Sequence, residues 1–260
     1  MEQKFHRGLY TKQEIIDVIT DCSKKMDTFY KNNIFVKRKS KTKKTNPTDK
    51  TEYCCEVISE WLLSKLDLFN NIKQLHRDSD YDCSEKSRKS STEASSGRPE
   101  EKIAKELLES SQNGSKEYGI LGKFIKHQLP MFDYNQPDCD DSAGKIDLVS
   151  YNETENKVYL IELKQITNKI DGLLSAALEI YTYFKQLDKT AFINSFKKNY
   201  PTMSKNTNFV PVVLVQKDSR QHHEHNESEF PQLHKLLKKL GIQFFVFDGK
   251  NGNYTIESED

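Results

Sequence analysis

The chain has 260 residues, enough for one large domain or two small ones, and its formal net charge is only +1. The net charge therefore gives no indication of a polyanion partner, and any basic surface that binds one has to be confined to part of the molecule. The five cysteines lack CxxC spacing, which disfavours a disulfide framework or a zinc site. The first ten residues have no apolar signal core, and no apolar run reaches the roughly 20 residues of a bilayer span. We therefore expect a cytoplasmic protein without a membrane partner.

The first third of the chain has a helical pattern. Residues 11–30 and 52–69 carry apolar side chains at helical spacing, and Thr11 followed by Glu14 is typical of a capping box. A basic stretch at 37–50 and a Ser-rich stretch at 77–97 have the composition of linkers or loops. The sequence thus predicts residues 1–97 as a helical N-terminal extension and residues 98–260 as a second domain.

After residue 97 the hydrophobic period changes from helical to mixed. The sequence predicts a helix at 99–111, strands at 123–132, 145–151 and 157–164, a helix at 170–187, a strand at 209–216, a helix at 229–240 and a strand at 242–247. This order predicts an α/β domain with a mixed central sheet that is flanked by helices.

Charged residues interrupt two apolar strands of this second domain. Asp147 lies between Ile146 and Leu148, and Glu162 and Lys164 end the next strand. Because side chains alternate along a strand, Glu162 and Lys164 project to one face. Carboxylate oxygens are the ligands of Mg²⁺, and a lysine ammonium stabilises charge on a phosphate. The pattern therefore predicts a site for a divalent cation and a phosphate.

The predicted hairpin sets a condition on this site. Asp147 faces Glu162 only if the loop between the strands has four residues, 153–156, or if a bulge corrects the register. A five-residue loop would place Asp147 on the opposite face of the sheet.

Asp147, followed after the hairpin by Glu162, Leu163 and Lys164, resembles the PD-(D/E)XK motif of restriction-endonuclease-like nucleases. The core of that family runs helix, three strands, helix, strand, which is the order predicted over about half of this chain. The resemblance implies a restriction-endonuclease-like fold and Mg²⁺-dependent hydrolysis of phosphodiester bonds, with DNA as the expected substrate and Mn²⁺ as an alternative cofactor. It also implies that Asp147 and Glu162 ligate the metal near the Leu163 carbonyl, and that Lys164 acts on water and phosphate.

The family's first helix often contributes a glutamate, and Glu100 or Glu101 matches it, with Glu101 slightly preferred. A literal Pro-Asp pair also occurs, at Pro137 and Asp138, in an acidic loop. We prefer Asp147, which has isoleucine before it, because a strand holds a ligand more rigidly than a loop does.

Two further patterns are expected to be unrelated to the site. Some exonuclease-type members of the family carry Gln-x-x-x-Tyr on the second helix, and this chain has Glu179 and Tyr183 at that spacing. The amphipathic pattern predicts that this pair faces solvent. His222, His223 and His225 lie in a polar stretch, for which we predict a plain loop.

The basic stretch begins with six cations in eight positions, which we expect to contact nucleic-acid phosphates. They are Lys37, Arg38, Lys39, Lys41, Lys43 and Lys44. The expected partner is thus a nucleic acid, DNA first of all, and a homodimer stays open. The alternative function is a catalytically inactive nucleic-acid-binding or protein-interaction module of the same fold.

Overall fold

A computed structural model describes residues 10–31, 41–44, 48, 50–81, 99–113, 115–132, 144–168 and 171–259. Its centre is a six-stranded sheet whose strands lie side by side in chain order. The strands are β1 Lys123–Pro130, β2 Lys145–Asn152, β3 Lys157–Lys164, β4 Asn208–Gln216, β5 Gln243–Lys250 and β6 Asn253–Ser258. Strands β1 to β3 are antiparallel, β3 to β5 are parallel, and β6 runs antiparallel to β5. The predicted mixed sheet is confirmed.

Helices cover both faces of this sheet. They are α1 Lys12–Cys22, α2 Cys54–Leu63, α3 Pro99–Asn113, α4 Leu173–Gln186, α5 Lys189–Phe196, α6 Arg220–Glu224 and α7 Pro231–Leu240. Three 3-10 helices in the described part of the chain occupy Ser23–Lys31, Leu66–Asn71 and Gly119–Leu121. None of the helices described has both the length and the apolar composition that a membrane span requires. Helix α5 and strand β6 were not predicted.

The N-terminal helices are shorter than their apolar patterns predicted. The capping box of Thr11 and Glu14 is confirmed, but α1 ends at Cys22 and the chain continues as a 3-10 helix with a kink at Lys25. The hydroxyl of Ser23 donates to the Thr20 carbonyl at 2.8 Å. Side-chain bonds of this kind compete with the helical ladder, which favours a helix end at this point.

Each face of the sheet buries its own apolar cluster. Helix α3 packs Ala104 and Leu107 onto the face to which Ile161 and Leu163 of β3 point. Helix α4 covers the opposite face, and α1, α2, α7 and the Ser23–Lys31 helix join the same cluster with it. The first third of the chain therefore shares a core with the sheet.

The segment that begins at Arg77 was predicted to be a linker or loop that resists burial; its first residues do lack helix and strand, but the expectation about burial is wrong at Arg77 and Tyr81. Arg77 is buried, and its guanidinium donates to the carbonyls of Pro130 and Phe132 at 3.0 and 2.9 Å and lies over the ring of Tyr81. Arg77 thus packs against the end of β1, because a guanidinium can satisfy two carbonyls left free where a strand ends. The rest of this predicted linker, 82–97, lies outside the described residues.

Glu56 connects the N-terminal helices to the C-terminal part of the chain. Its carboxylate accepts hydrogen bonds from the backbone N–H groups of Gln232 and Leu233 at 2.9 and 2.8 Å, in the first turn of α7. An anion at this position also complements the positive end of the helix dipole.

We expect Glu56→Ala to lower the free energy of unfolding by about 1–3 kcal/mol, because two helix N–H groups lose a charged acceptor. Glu60→Ala is the matched control, since Glu60 lies on the same helix and forms an exposed ion pair with Lys12. That control should cost less than about 1 kcal/mol. Urea unfolding measures both, and equal effects of the two variants would contradict the role of Glu56.

Candidate functional site

The hairpin between β2 and β3 has the four-residue loop that the site requires. The antiparallel pairs run from Leu148↔Ile161 to Asn152↔Lys157. Continuing this register by one residue places Asp147 opposite Glu162, on the face of the sheet that α4 covers.

Glu162 and Lys164 form a buried ion pair at the end of β3. The Lys164 Nζ lies 2.5 Å from the Glu162 Oε1. Lys164 is only 6% exposed and Glu162 only 3%. The pair is confirmed to share one face, as strand alternation predicted. A charged pair so deeply buried is expensive in free energy unless other groups stabilise it.

Asp147 is only partly buried, and two neighbouring strands hold its carboxylate. The Leu163 N–H of β3 donates to its Oδ2 at 3.0 Å, and the Gln128 side-chain amide of β1 donates to its Oδ1 at 3.1 Å. Nothing in the sequence pattern pointed to Gln128, because a single polar residue in a strand is ordinary.

Helix α4 contributes Glu179 and Tyr183 to the same region, so the prediction that they face solvent is wrong. Tyr183 is buried, and its hydroxyl donates to the Glu179 Oε1 at 3.0 Å. The hydroxyl of Tyr30, from the Ser23–Lys31 helix, lies 3.0 Å from the Tyr183 hydroxyl. Tyr183 is buried and Glu179 is half-buried, because an N-terminal helix that is remote in sequence covers this side of α4.

Of the two candidate glutamates on α3, the structure brings Glu100 to the site. Its Oε1 accepts from the side-chain amide of Asn168 at 3.1 Å and from the Gln165 N–H at 3.4 Å, directly after β3. Glu101, the preferred candidate in the sequence, makes no such contact within the described part of the chain.

The site combines four carboxylates with a single ammonium group. Burial raises the pKa of Asp147 to about 6, although the charge of Lys164 and the Leu163 N–H act in the opposite direction. Burial, and then the charges of Asp147 and Glu179, raise the pKa of Glu162 well above its usual value. Burial lowers the pKa of Lys164, but Glu162, Asp147, Glu179 and Glu100 outweigh it and raise that pKa well above normal. The excess of negative charge favours a cation.

The donor set fits a hard divalent cation in its chemistry, because Asp147 and Glu162 offer only oxygen atoms. Lys164 contacts one oxygen of Glu162, whereas each oxygen of Asp147 accepts one hydrogen bond and keeps a second lone pair. Among the residues that the structure describes, no three His, Cys, Asp or Glu side chains form a group ready to hold a metal ion.

The histidines do not form the predicted plain loop. His222 and His223 lie in the short helix α6, and the ring of His225 stacks on Phe244 with centroids 3.7 Å apart. Burial lowers the pKa of His225 to about 4, so this ring is neutral at physiological pH. Its packing against an aromatic ring gives it a structural role.

Only part of the basic stretch is described. Lys37, Arg38 and Lys39 lie outside the described residues, as do Pro137 and Asp138. Lys41, Lys43 and Lys44 are exposed, and Lys41 pairs with Tyr53 in an isolated β-bridge beside α2.

Models of known protein families, curated proteins and solved structures were all compared with this chain, and none of them matched.

The raised pKa of Asp147 predicts a pH dependence of stability. The unfolded value is about 3.9 and the folded value about 6, so the folded state binds more protons between these values and its stability falls as the pH rises through that window. This loss amounts to at most about 3 kcal/mol. Asp147→Asn mimics the protonated acid, so the fall in unfolding free energy from pH 4.5 to 7.5 should be smaller than in the wild type. Urea titrations at the two pH values measure this fall in unfolding free energy. An equal fall in both proteins would contradict the raised pKa of Asp147.

Proposed function

We propose that this protein is a Mg²⁺-dependent nuclease with a restriction-endonuclease-like fold, and that it hydrolyses phosphodiester bonds in DNA. The observation that carries the proposal is the convergence of Asp147, from β2, with Glu162 and Lys164 at the end of β3. A lysine held among carboxylates at a strand end is poorly explained by stability alone, because an apolar pair is often at least as stable there.

The proposed roles follow from the position of each group. Asp147 and Glu162 would hold the cation with the Leu163 carbonyl, and a bound Mg²⁺ supplies Lewis-acid stabilisation of charge on the phosphate. Lys164, whose Nζ contacts Glu162 in this structure, would donate from that Nζ to the phosphate and the attacking water. Glu100 supports the segment directly after β3 through Asn168.

The order of elements also supports the proposal. The chain runs α3, β1, β2, β3, α4 and β4, with α5 inserted before β4. This agrees with the helix, three strands, helix, strand order of the family that the motif resembles, and it puts the candidate glutamate of α3 beside the end of β3.

A second candidate is a nucleic-acid-binding module of the same fold without catalysis. The observation that favours it is the short contact between Lys164 and Glu162, which already neutralises one of the two ligands. Binding of DNA without cleavage in the presence of Mg²⁺ or Mn²⁺ would support this candidate over the first.

We expect Asp147→Ala and Glu162→Ala to abolish both cleavage and stabilisation by Mg²⁺. Lys164→Ala should keep the Mg²⁺-dependent rise in melting temperature but lower the cleavage rate by at least about 10²-fold, because the lysine acts on the phosphate and water. Thermal melts at rising Mg²⁺ and assays on plasmid, linear and single-stranded DNA measure both properties.

The chain offers a matched control at the other end of the same strand. Glu155 and Lys157 have the same spacing as Glu162 and Lys164 and also form an ion pair, but a more exposed one. Glu155→Ala and Lys157→Ala should leave cleavage and the response to Mg²⁺ unchanged. Wild-type cleavage by Lys164→Ala would overturn the proposed site.

The exposed lysines of the basic stretch should bind phosphates independently of the DNA sequence. Replacing Lys41, Lys43 and Lys44 by glutamine should weaken DNA binding and flatten its log–log salt dependence by roughly one unit for each lysine that had neutralised a phosphate. Fluorescence anisotropy across a salt series measures the slope. If affinity and slope both stay at their wild-type values, these lysines are not part of the DNA interface.

A further inference from the structure

One residue of β1 has a backbone conformation that strands normally exclude. Gln128 lies inside β1 with a φ of +49°. The other non-glycine residues of the described chain with positive φ lie outside strands, at Ser115, Asn156, Asp218 and Asn251. A left-handed conformation is unfavourable for a residue with a long side chain, so the surrounding structure has to maintain it.

The position of Gln128 places this strain at the candidate site. The pairs on either side of it, His127↔Leu148 and Leu129↔Ile146, hold β1 in register with β2. Gln128 therefore lies beside Asp147, and its amide Nε2 donates to the Asp147 Oδ1 at 3.1 Å. A strained residue that contacts a candidate metal ligand is the pattern expected where backbone strain serves function.

The amide of Gln128 is uncharged, unlike Lys164, which is the partner of Glu162. Lys164 neutralises Glu162, whereas Gln128 and the Leu163 N–H orient Asp147 without neutralising it. An arginine or lysine at position 128 would compete with a cation for Asp147, and a glutamate would repel the carboxylate. Only an uncharged donor leaves Asp147 both oriented and negative.

We infer that Gln128 is a positioning residue that fixes the carboxylate of Asp147 in the orientation in which it binds a divalent cation. This rests on the proposed function. Groups that hydrogen-bond to metal ligands set their orientation, and removing one typically weakens metal affinity by about tenfold or more.

The test compares two replacements at the same position. Gln128→Met keeps the length of the side chain and the strained backbone but removes the donor, and Gln128→Gly removes the donor and relieves the strain. Both should bind Mg²⁺ about tenfold more weakly than the wild type, as measured by Mg²⁺-dependent thermal stabilisation. Because glycine adopts positive φ freely, the glycine variant should have a higher urea midpoint than the methionine variant. Ser115→Gly, at a φ of +51° in an exposed segment, is the control and should leave Mg²⁺ affinity unchanged.

Wild-type Mg²⁺ affinity in Gln128→Met, or a glycine variant less stable than the methionine variant, would overturn the inference.

If the wild type itself neither binds Mg²⁺ nor cleaves DNA, the proposed function fails, and a separate measurement decides whether Gln128 acts on Asp147. That measurement is a double-mutant cycle of urea midpoints with Gln128→Met, Asp147→Ala and the double variant. The two substitutions should be non-additive, because the Gln128 amide contacts the Asp147 carboxylate. Additive effects would show that Gln128 does not act on Asp147.

Discussion

The buried ion pair of Glu162 and Lys164 in β3 is the constraint that the groups around it have to satisfy, because two buried charges are costly unless neighbouring groups stabilise them. Strands β2 and β4 flank that strand, and helices cover both of its faces, so the two charges have little access to water. Removing one partner of such a pair typically costs about 3–5 kcal/mol, because the other charge is left buried alone. Asp147 and Glu179, which add negative charge nearby, keep the lysine protonated.

The site draws on segments that lie far apart in the chain. Tyr30 comes from the N-terminal layer, Gln128 and Asp147 from the first two strands, and Tyr183 from the helix that covers them. Gly144, directly before β2, lies against the Tyr183 ring, and any side chain at this position would collide with that ring. The N-terminal helices therefore form one wall of the site, and by keeping water away they strengthen the electrostatic interactions inside it.

Local patterns were sufficient to predict the centre of this fold but not its margins. The bounds of β3 were predicted correctly, because its apolar run is bounded by a turn and a charged pair. The face shared by Glu162 and Lys164 followed from strand alternation alone. The burial of Tyr183 could not be predicted, because it depends on the 3-10 helix that carries Tyr30, 153 residues away in sequence from Tyr183. The contact of Gln128 with Asp147 likewise depends on how β1 pairs with β2. The position of Glu100 beside the end of β3 depends on where α3 begins relative to that strand.

The irregular backbone of β1 has a consequence for association between copies of the chain. Strand β1 is one edge of the sheet, and the edges of sheets can pair with strands from other molecules. A register shift between Phe124 and Lys126 and the left-handed Gln128 interrupt the straight row of N–H and C=O groups that an incoming strand needs. The distortion that brings an amide to Asp147 therefore also makes this edge a poor template for aggregation.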